Sequence, residues 1–325
     1  MIQDTMTLAD VLNDPRIRPV AADAIRDMDL SQEEWWQWTF QQIEEAHFGG
    51  SLKAGFTRLF EAAESGNWYY PLRENGETHL VWFPSKDEKA GERPFILVVP
   101  GGGFTNVWNL TEGWPIGNRF NEQGYHVFIL TYRVQSQDHL LEREMEDFAL
   151  ALSFIKEHAA RFGVQADRYI TCGFSAGGYL VSLWNVPEKG YIKFGLPKPE
   201  AVFPVYPLIS WKLCLQDNGF EPEGSEELFG CSIEEAAESP YEIEEHAEGF
   251  PPCALFLSAG DTLVNPEHSR LLAKALEDKG IPCRLEIGEE GGHGFADGTG
   301  MCMEGWIGRA IAWYEGLPSG KDEVK

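Results

Sequence analysis

The sequence predicts an α/β protein built on a mostly parallel, doubly wound sheet with helices on both faces. Short runs such as "PFILVVP" and "RYITCGF" are apolar almost throughout, as expected for strands that are buried on both faces. Between such runs lie longer amphipathic stretches, among them "LEREMEDFALALSFIKEHAARFG" and "NPEHSRLLAKALEDKG", which have the residue spacing of helices. This alternation of strands and helices is typical of a parallel sheet with right-handed crossover connections.

The composition restricts the functions that the chain can have. Its 325 residues include 52 acidic and 26 basic ones, and the net charge of −26 disfavours nucleic acid, anionic lipid and polyanionic substrates. No apolar run approaches the roughly 20 residues that cross a bilayer, and the acidic N-terminus lacks the apolar stretch of a signal peptide. We therefore expect a cytoplasmic protein that acts on a neutral small molecule or oligosaccharide, with no membrane partner. Formation of a homo-oligomer stays open.

The cysteine and histidine spacings indicate neither a disulfide framework nor a metal centre. The six cysteines form no Cys-x-x-Cys pair, and no group of histidines and cysteines has the spacing of zinc ligands. We expect six reduced thiols, no bound metal and no organic cofactor.

Residues 1–66 predict a helical N-terminal extension. In "SQEEWWQWTFQQIEEAHF", Ser31 is followed by Glu34, which is the pattern of a capping box at the start of a helix. A second amphipathic stretch predicts a shorter helix that ends at Gly66. The three tryptophans of this extension need cover from solvent. The extension is therefore either an arm packed on the main body or a cap over a pocket.

Residues 67–317 predict the main α/β domain. Its first two strands are separated by a turn-like stretch, and six further strand-like runs alternate with helices. Residues 212–249, rich in Glu, Gly and Pro, predict an insertion over one end of the sheet that sets the depth of a pocket, and residues 318–325 predict a flexible tail. In chain order the strand-like runs are "WYYPL", "HLVWF", "PFILVVP", "HVFILTYRV", "RYITCGF", "EAVFPVYPLIS", "PCALFLSAG" and "CRLEIGE".

Ser175 stands in a Gly-x-Ser-x-Gly pattern at the junction of a predicted strand and a predicted helix. The small residues on both sides allow a tight strand–turn–helix bend, which would lift the serine hydroxyl away from the sheet. A negative charge that develops there would lie at the N-terminus of the following helix, where it is favoured. The sequence "CGFSAGG" therefore predicts a nucleophile rather than a serine that only serves the turn.

A serine nucleophile needs a base and an acid that orients the base. His293, in the glycine-rich loop after the last predicted strand, is the candidate base, and we expect His268, inside a predicted helix, to be a surface residue. Asp261 closes a strand and begins a loop, from which its carboxylate could reach a histidine on the next loop. The other carboxylates considered as the acid are Glu289, Glu290 and Asp217.

The stretch "PGGGF", residues 100–104, predicts an oxyanion hole. Its glycines let the backbone approach a substrate carbonyl, so that the N–H groups of Gly102 and Gly103, with that of Ala176 after the nucleophile, could hold an oxyanion. A phosphate-binding loop is the alternative interpretation. It lacks support because no Gly-Lys-Ser/Thr follows and the dinucleotide glycine spacing is absent.

Together, "GFSAGG", the Gly101–Gly103 loop, "SAGDTLVNPEHS" and "GGHGF" resemble the α/β-hydrolase superfamily. Within it they are similar to the esterase/lipase group that includes carbohydrate acetyl esterases and acetylxylan esterase-like proteins. The resemblance covers roughly residues 67–317 and leaves the helical extension unexplained. Pro100 stands where the hormone-sensitive-lipase-like branch has histidine, and this favours the acetyl esterase-like group.

The resemblance implies an α/β-hydrolase fold and a serine carboxylic-ester hydrolase with a covalent acyl-enzyme intermediate. The expected substrate is a short acyl ester, above all acetyl on a carbohydrate. Phe104, Trp108 and Trp114 follow the oxyanion loop and are candidate substrate contacts. Two alternatives stay open, a serine peptidase of the same superfamily and a hydrolase-like protein that binds without catalysis.

Overall fold

The computed structural model describes residues 2–48, 50–134, 138–217 and 225–318, and a single eight-stranded sheet organises them. The strands are β1 Tyr69–Pro71, β2 His79–Phe83, β3 Phe95–Val99, β4 Val127–Thr131, β5 Tyr169–Phe174, β6 Ala201–Val205, β7 Cys253–Ser258 and β8 Cys283–Gly288. Their order in the sheet is β1-β2-β4-β3-β5-β6-β7-β8. Neighbours from β4 across to β8 are parallel, whereas β1 and β2 pair antiparallel at one edge. The predicted mostly parallel sheet is thus confirmed.

Helices cover both faces of the sheet, as the fold class requires. The α-helices are α1 Leu8–Leu12, α2 Arg18–Ala21, α3 Phe40–Glu45, α4 Leu52–Ser65, α5 Trp114–Glu122, α6 Leu140–Glu157, α7 Ala159–Phe162, α8 Ala176–Leu183, α9 Tyr191–Phe194, α10 Trp211–Asp217, α11 Ser225–Phe229, α12 Ile233–Ala237, α13 Glu267–Asp278 and α14 Trp306–Glu315. Turns of 3₁₀ helix lie at Pro15–Ile17, Leu30–Gln32, Glu34–Gln37, Ala90–Glu92 and Glu244–His246, and a π-helical turn at Asn109–Gly113. None of the described helices has the length and apolar character of a bilayer span.

The two faces of the sheet form two hydrophobic cores. Side chains alternate along β3, so that Phe95 and Leu97 pack with α6 and α8 on one face while Ile96 and Val98 pack with α5 and α14 on the other. All five residues of β3 are buried. The absence of polar alternation in "PFILVVP" therefore reflects a strand with apolar cover on both sides.

The predicted capping box of Ser31 and Glu34 is wrong. The Asp29 side chain caps a short 3₁₀ turn there, and the extended backbone of Glu33 interrupts helix formation. The α-helix begins later, at Phe40, and the capping box belongs to Thr39. Trp35 and Trp38 both pack on the Phe48 ring, whereas one continuous helix would separate residues 38 and 48 by about 15 Å along its axis. The second helix ends as predicted, with Gly66 in the left-handed conformation.

The N-terminal helices pack on the sheet and share one of its two cores. Phe56 of α4 lies 5.3 Å, between ring centroids, from Trp114 at the start of α5, and Phe40 lies 5.9 Å from Phe56.

The division of the chain at residue 66 stays a prediction. In the predicted insertion, residues 218–224 lie outside the described residues, as do residues 319–325 of the predicted tail.

Asp297 joins the N-terminal helices to the loop that precedes α14. Its buried carboxylate accepts hydrogen bonds from the Ser51 hydroxyl and from the Arg119 Nε, the latter at 2.8 Å. Burial by itself would raise the pKa of Asp297, but the hydrogen bonds from Ser51 and Arg119 hold it below the ordinary value. The ionised carboxylate therefore stabilises the folded state.

We expect Asp297→Asn to lower the free energy of unfolding at pH 7 by about 1–3 kcal/mol, because the variant loses a charge-assisted hydrogen bond. A carboxylate with a lowered pKa stabilises the fold above about pH 4, and this contribution disappears as the pH falls through the lowered value. Urea unfolding at pH 7 and pH 3 measures both effects.

Asp278→Asn, which affects an exposed carboxylate paired with Lys274, is the control. We expect it to change the free energy of unfolding by less than about 0.5 kcal/mol. An Asp297→Asn effect that does not diminish at pH 3 would contradict the assignment.

Candidate active site

Ser175 occupies the tight bend between β5 and α8 that the sequence predicts. Its backbone has φ 51° and ψ −116°, a strained conformation for a residue with a side chain. The flanking glycines are sterically required: a Cβ on Gly173 would lie 2.2 Å from the Gly177 oxygen, and one on Gly177 would lie 2.2 Å from the Val99 oxygen. The bend is thus held by close backbone contacts, and it presents the Ser175 hydroxyl at the carboxyl ends of the parallel strands.

The side chains of Ser175, His293 and Asp261 form one hydrogen-bonded series. The His293 Nε2 lies 2.9 Å from the Ser175 Oγ, and the His293 Nδ1 lies 2.7 Å from the Asp261 Oδ2. Because a carboxylate can only accept, the proton of the neutral imidazole lies on Nδ1, and Nε2 accepts from the serine hydroxyl. The arrangement can take a proton from Ser175 as that oxygen attacks a carbonyl.

The Asp261 carboxylate is fixed by backbone donors at the start of its loop. Its Oδ1 accepts from the N–H groups of Leu263 and Val264, both at 2.9 Å, and its side chain is almost completely buried. Nearby, the Ser258 Oγ accepts from Gly260 N and from Gly292 N, each at 3.2 Å. Ser258 therefore ties the loop of Asp261 to the loop of His293.

His268 is buried rather than at the surface, so that expectation is wrong. It lies in α13 as predicted, but its Nδ1 accepts from the backbone N–H groups of Ile209 and Ser210 at 3.3 and 3.1 Å. The ring thus supplies the acceptor for two main-chain N–H groups in the segment between β6 and α10. Helical spacing alone does not distinguish such a buried role from a solvated one.

The glycine loop after β3 presents main-chain donors beside Ser175. Gly102 and Gly103 have φ values of 140° and 62°, which favour glycine. Among the described residues, the N–H groups of Gly102, Gly103 and Ala176 donate to no protein acceptor. N–H groups that lie beside the nucleophile and have no protein acceptor can hold an oxyanion.

The N-terminal region holds the segment that follows this glycine loop. Four hydrogen bonds of 2.7–3.0 Å join residues 23–26 to residues 106–110, and two of them are between main-chain groups only. The bonds run from Arg26 N to Val107 O, from Leu110 N to Ala24 O, from Asn106 Nδ2 to Arg26 O and from Asn109 Nδ2 to Asp23 O. The position of the candidate oxyanion hole therefore depends on residues outside the α/β sheet.

The Ser175 and His293 side chains open into a pocket of about 520 Å³. Three of its aromatic walls are Phe48, Phe104 and Trp108, and the remaining lining residues are Ala46, His47, Gly102, Gly103, Thr111, Glu112, Ala176, Leu208, Leu263, Val264 and Gly294. Phe104 and Trp108 thus lie where substrate contacts were predicted. The volume is many times that of an acetyl group, so the pocket has room for a larger part of a substrate.

Trp114 is not a substrate contact, which corrects the prediction. Its side chain is 1% exposed and packs on Phe56 in the core, because α5 begins at this residue and turns the ring towards α4.

The expectation that residues 212–249 set the pocket depth is also wrong for the part of that segment that the structure describes. The wall is supplied instead by Ala46, His47 and Phe48 of the N-terminal extension. The extension is therefore both a packed arm and a wall of the pocket.

Sequence reasoning missed Glu112 and Tyr206. The Glu112 carboxyl is buried at the edge of the pocket, and the Tyr206 ring lies 4.8 Å, between centroids, from the His293 ring. The one available signal was an acidic residue inside the apolar stretch "NLTEGWPIG". Within the described residues no cluster of three or more metal-ligating side chains occurs.

A larger polar cleft of about 1010 Å³ lies beside the pocket and shares His47 with it. Charges of both signs line it, including Lys53 and Glu61, together with amides such as Asn118. It contains none of the Ser175, His293 and Asp261 side chains, and hence the smaller pocket is the candidate active site.

Comparison with known proteins identifies an esterase and a xylanase among the similar chains. The sequence model of the BD-FAE family matches residues 81–276, more than half of the chain, a range that includes Ser175 and Asp261 but not His293. An acetylxylan esterase of Xylanibacter ruminicola is 24% identical over 78% of this chain and 51% of its own length. Endo-1,4-beta-xylanase B of Butyrivibrio fibrisolvens is 25% identical over 67% of this chain and 35% of its own length. The chain thus spans about a third to a half of these curated relatives.

Solved structures show the same fold. An acetyl ester-xyloside bifunctional hydrolase from Caldicellulosiruptor lactoaceticus superposes with a TM-score of 0.63 and 25% identity, over 76% of this chain and 95% of that one. The carboxylesterase Cest-2923 from Lactobacillus plantarum gives a TM-score of 0.61 with 21% identity, over 73% and 91% of the two chains. The predicted α/β-hydrolase fold and the predicted resemblance to this esterase group are confirmed.

Proposed function

The chain belongs to the BD-FAE family, of α/β-hydrolase type, and from this premise we propose that it is a serine carboxylic-ester hydrolase. The observation that carries the proposal is the series from Ser175 through His293 to Asp261, with distances of 2.9 and 2.7 Å, at the wall of an accessible pocket. A serine whose hydroxyl is bonded to the Nε2 of a histidine, whose Nδ1 is in turn bonded to a buried carboxylate, is an activated nucleophile.

In the proposed reaction, the Ser175 Oγ attacks the ester carbonyl carbon while the His293 Nε2 takes the hydroxyl proton. The negative charge on the carbonyl oxygen is held by the N–H groups of Gly102, Gly103 and Ala176. The alcohol leaves with the proton from His293, and an acyl-enzyme remains on Ser175. His293 then takes a proton from water, whose oxygen attacks the acyl carbon. The bond from this carbon to the Ser175 Oγ breaks, His293 returns the proton to that oxygen, and the acid leaves.

For the substrate, we propose an acetyl ester of a neutral carbohydrate. Two similar proteins are named for acetylxylan or for acetyl ester and xyloside hydrolysis. The pocket of about 520 Å³ is larger than an acetyl group requires, and its aromatic walls Phe48 and Trp108 suit a sugar ring. The net charge of −26 disfavours anionic substrates.

The test compares acetylated xylo-oligosaccharides with 4-nitrophenyl esters of increasing acyl length and with peptide 4-nitroanilides. We expect hydrolysis of the acetyl esters and a decline in kcat/KM as the acyl chain lengthens. A preference for long acyl chains would overturn the acetyl assignment, and hydrolysis of peptides alone would favour the peptidase. If no ester is cleaved and a fluorophosphonate probe does not label the protein, the catalytic proposal is wrong.

Phe48 is expected to contribute to carbohydrate binding rather than to chemistry. Its half-buried ring lines the pocket and is supported by Trp35 at 5.1 Å and Trp38 at 6.2 Å between centroids. Loss of one stacking ring costs about 1.4 kcal/mol, so Phe48→Ala should raise KM for an acetylated xylo-oligosaccharide about tenfold. Its kcat/KM for 4-nitrophenyl acetate, which has no sugar, should stay within about twofold.

Phe194→Ala is the matched control, because Phe194 is a half-buried aromatic of α9 that stacks on Trp184 away from the pocket. We expect neither substrate to distinguish this variant from wild type. Equal losses on both substrates in Phe48→Ala would show that the ring supports the catalytic geometry and does not contact the sugar.

A further inference from the structure

Glu112 is a buried carboxyl with contacts to two parts of the candidate active site. The Glu112 Oε2 accepts from the Gly101 N–H at 2.7 Å, and the Glu112 Oε1 accepts from the Tyr206 hydroxyl at 2.8 Å. Among the described residues no lysine or arginine forms an ion pair with it. Burial raises the pKa of Glu112, while the hydrogen bonds from Gly101 and Tyr206 act in the opposite direction. Its two hydrogen bonds thus replace part of the lost hydration.

The first contact fixes the loop that would hold the oxyanion. Gly101 is the first glycine of the loop, directly before Gly102 and Gly103, and a Cβ on Gly101 would lie 2.4 Å from the Phe174 oxygen and 2.9 Å from the Ser175 Cβ. The loop therefore lies against the nucleophile bend. The hydrogen bond from the Gly101 N–H to Glu112 fixes the orientation of the peptide group between Pro100 and Gly101. The N–H groups of Gly102 and Gly103 come directly after this fixed peptide group.

The second contact reaches the base through an aromatic ring. Tyr206 has φ 37°, an unusual conformation for a residue with a side chain, and its ring is fully buried. This ring lies 4.8 Å from His293 and 4.7 Å from Phe295, measured between centroids. Because the hydroxyl of Tyr206 donates to Glu112, the carboxyl restrains the ring that packs on the imidazole.

The backbone around Glu112 has a rare conformation. Residues Asn109–Gly113 form a π-helical turn, which starts directly after the pocket residue Trp108. The Trp108 N–H donates to the Gly101 oxygen at 3.0 Å, so the turn is joined to the glycine loop at both main chain and side chain. Short π-helical turns occur frequently at functional sites.

We propose that Glu112 is a positioning residue, which holds Gly101 of the candidate oxyanion loop and the Tyr206 ring against His293 at the same time. This inference rests on the proposed ester hydrolysis. It assigns to Glu112 the role of setting the distance between the base, His293, and the N–H groups of the candidate oxyanion hole. Since the oxyanion exists only after attack by Ser175, loss of this restraint acts on kcat and leaves substrate binding unchanged.

The test replaces Glu112 by glutamine and Tyr206 by phenylalanine, singly and together, and measures kcat and KM for 4-nitrophenyl acetate. Gly101 and Tyr206 donate to different oxygens of Glu112, so in glutamine one of these two donors would face an NH₂ group instead of an acceptor. We expect Glu112→Gln to lower kcat about 10- to 100-fold with KM within about twofold. Tyr206→Phe should lower kcat about threefold to tenfold, and the double variant should be no slower than Glu112→Gln, because both changes break one network.

Asp147→Asn is the control, since Asp147 is a fully buried carboxylate that accepts from the Arg133 main-chain N–H at 3.0 Å away from the pocket. It should lower the thermal midpoint and leave kcat unchanged. Wild-type kcat in Glu112→Gln would overturn the inference. So would a double variant in which the losses of kcat from the two single substitutions simply multiply. If Glu112→Gln does not fold, wild-type kcat in Tyr206→Phe overturns it. A wild-type protein that neither cleaves esters nor reacts with a fluorophosphonate would instead overturn the proposed function, and the inference with it.

Discussion

Replacement of Ser175 by alanine is expected to lower kcat for ester hydrolysis by about 10⁴- to 10⁶-fold. In the series, Ser175 supplies the nucleophilic oxygen, which lies 2.9 Å from the His293 Nε2. Without this oxygen, His293 would activate water instead. Residual catalysis would come from the oxyanion donors and from substrate binding. The measurement is the initial rate on 4-nitrophenyl acetate, with covalent labelling by a fluorophosphonate probe on the same samples.

Ser182→Ala provides the matched control for this experiment. Ser182 is a buried serine on the same helix, α8, and its hydroxyl donates to the Gly178 oxygen at 2.8 Å. We expect this variant to keep its labelling and its kcat. Equal labelling of wild type and Ser175→Ala would mean that another residue is the nucleophile, and it would overturn the proposed mechanism.

Replacement of Asp261 by asparagine is expected to lower kcat by about 10⁴-fold while the fold is retained. The carboxylate accepts three hydrogen bonds, one from the His293 Nδ1 and two from the N–H groups of Leu263 and Val264. An asparagine that keeps its oxygen on the backbone donors turns its amide NH₂ towards Nδ1. The imidazole then carries its proton on Nε2 and cannot accept from Ser175. The decline should therefore appear in kcat, with the thermal midpoint of unfolding little changed.

Glu289→Gln tests the rival acid on the loop of His293. Glu289 is exposed, whereas the Asp261 side chain is 2% exposed and bonded to the imidazole. We expect Glu289→Gln to keep wild-type kcat. A loss comparable to that of Asp261→Asn would assign the orienting role to Glu289 and would contradict the proposal for Asp261.

The N-terminal extension is part of the candidate site. Residues 23–26 hold the segment after the glycine loop by four hydrogen bonds, and Ala46–Phe48 line the pocket. The family match begins only at residue 81. Features of this site that depend on the extension therefore lie outside the part of the chain that the family match covers.

Local patterns determined much of this protein from the sequence. Apolar runs and amphipathic stretches predicted the strands and helices, because burial on two faces or on one face fixes which positions are apolar. Glycines around Ser175 predicted the bend, since a side chain there would collide with backbone of the bend itself at Gly173 and with backbone of β3 at Gly177. The order of Ser175, Asp261 and His293, each after a strand, predicted that their side chains would meet at one edge of a parallel sheet, and the structure brings them within hydrogen-bonding distance.

Tertiary structure alone decided the features that depend on contacts between distant segments. Trp108 and Trp114 are alike in sequence context, yet one lines the pocket and the other is covered by Phe56 of α4. Helical spacing could not reveal that the ring of His268 is buried against the backbone of Ile209 and Ser210, in the segment after β6. Nor could it reveal that Glu112 contacts Tyr206, 94 positions away. Local patterns record which residues avoid water, whereas the partner of a buried polar group is set by packing between segments that are remote in the chain.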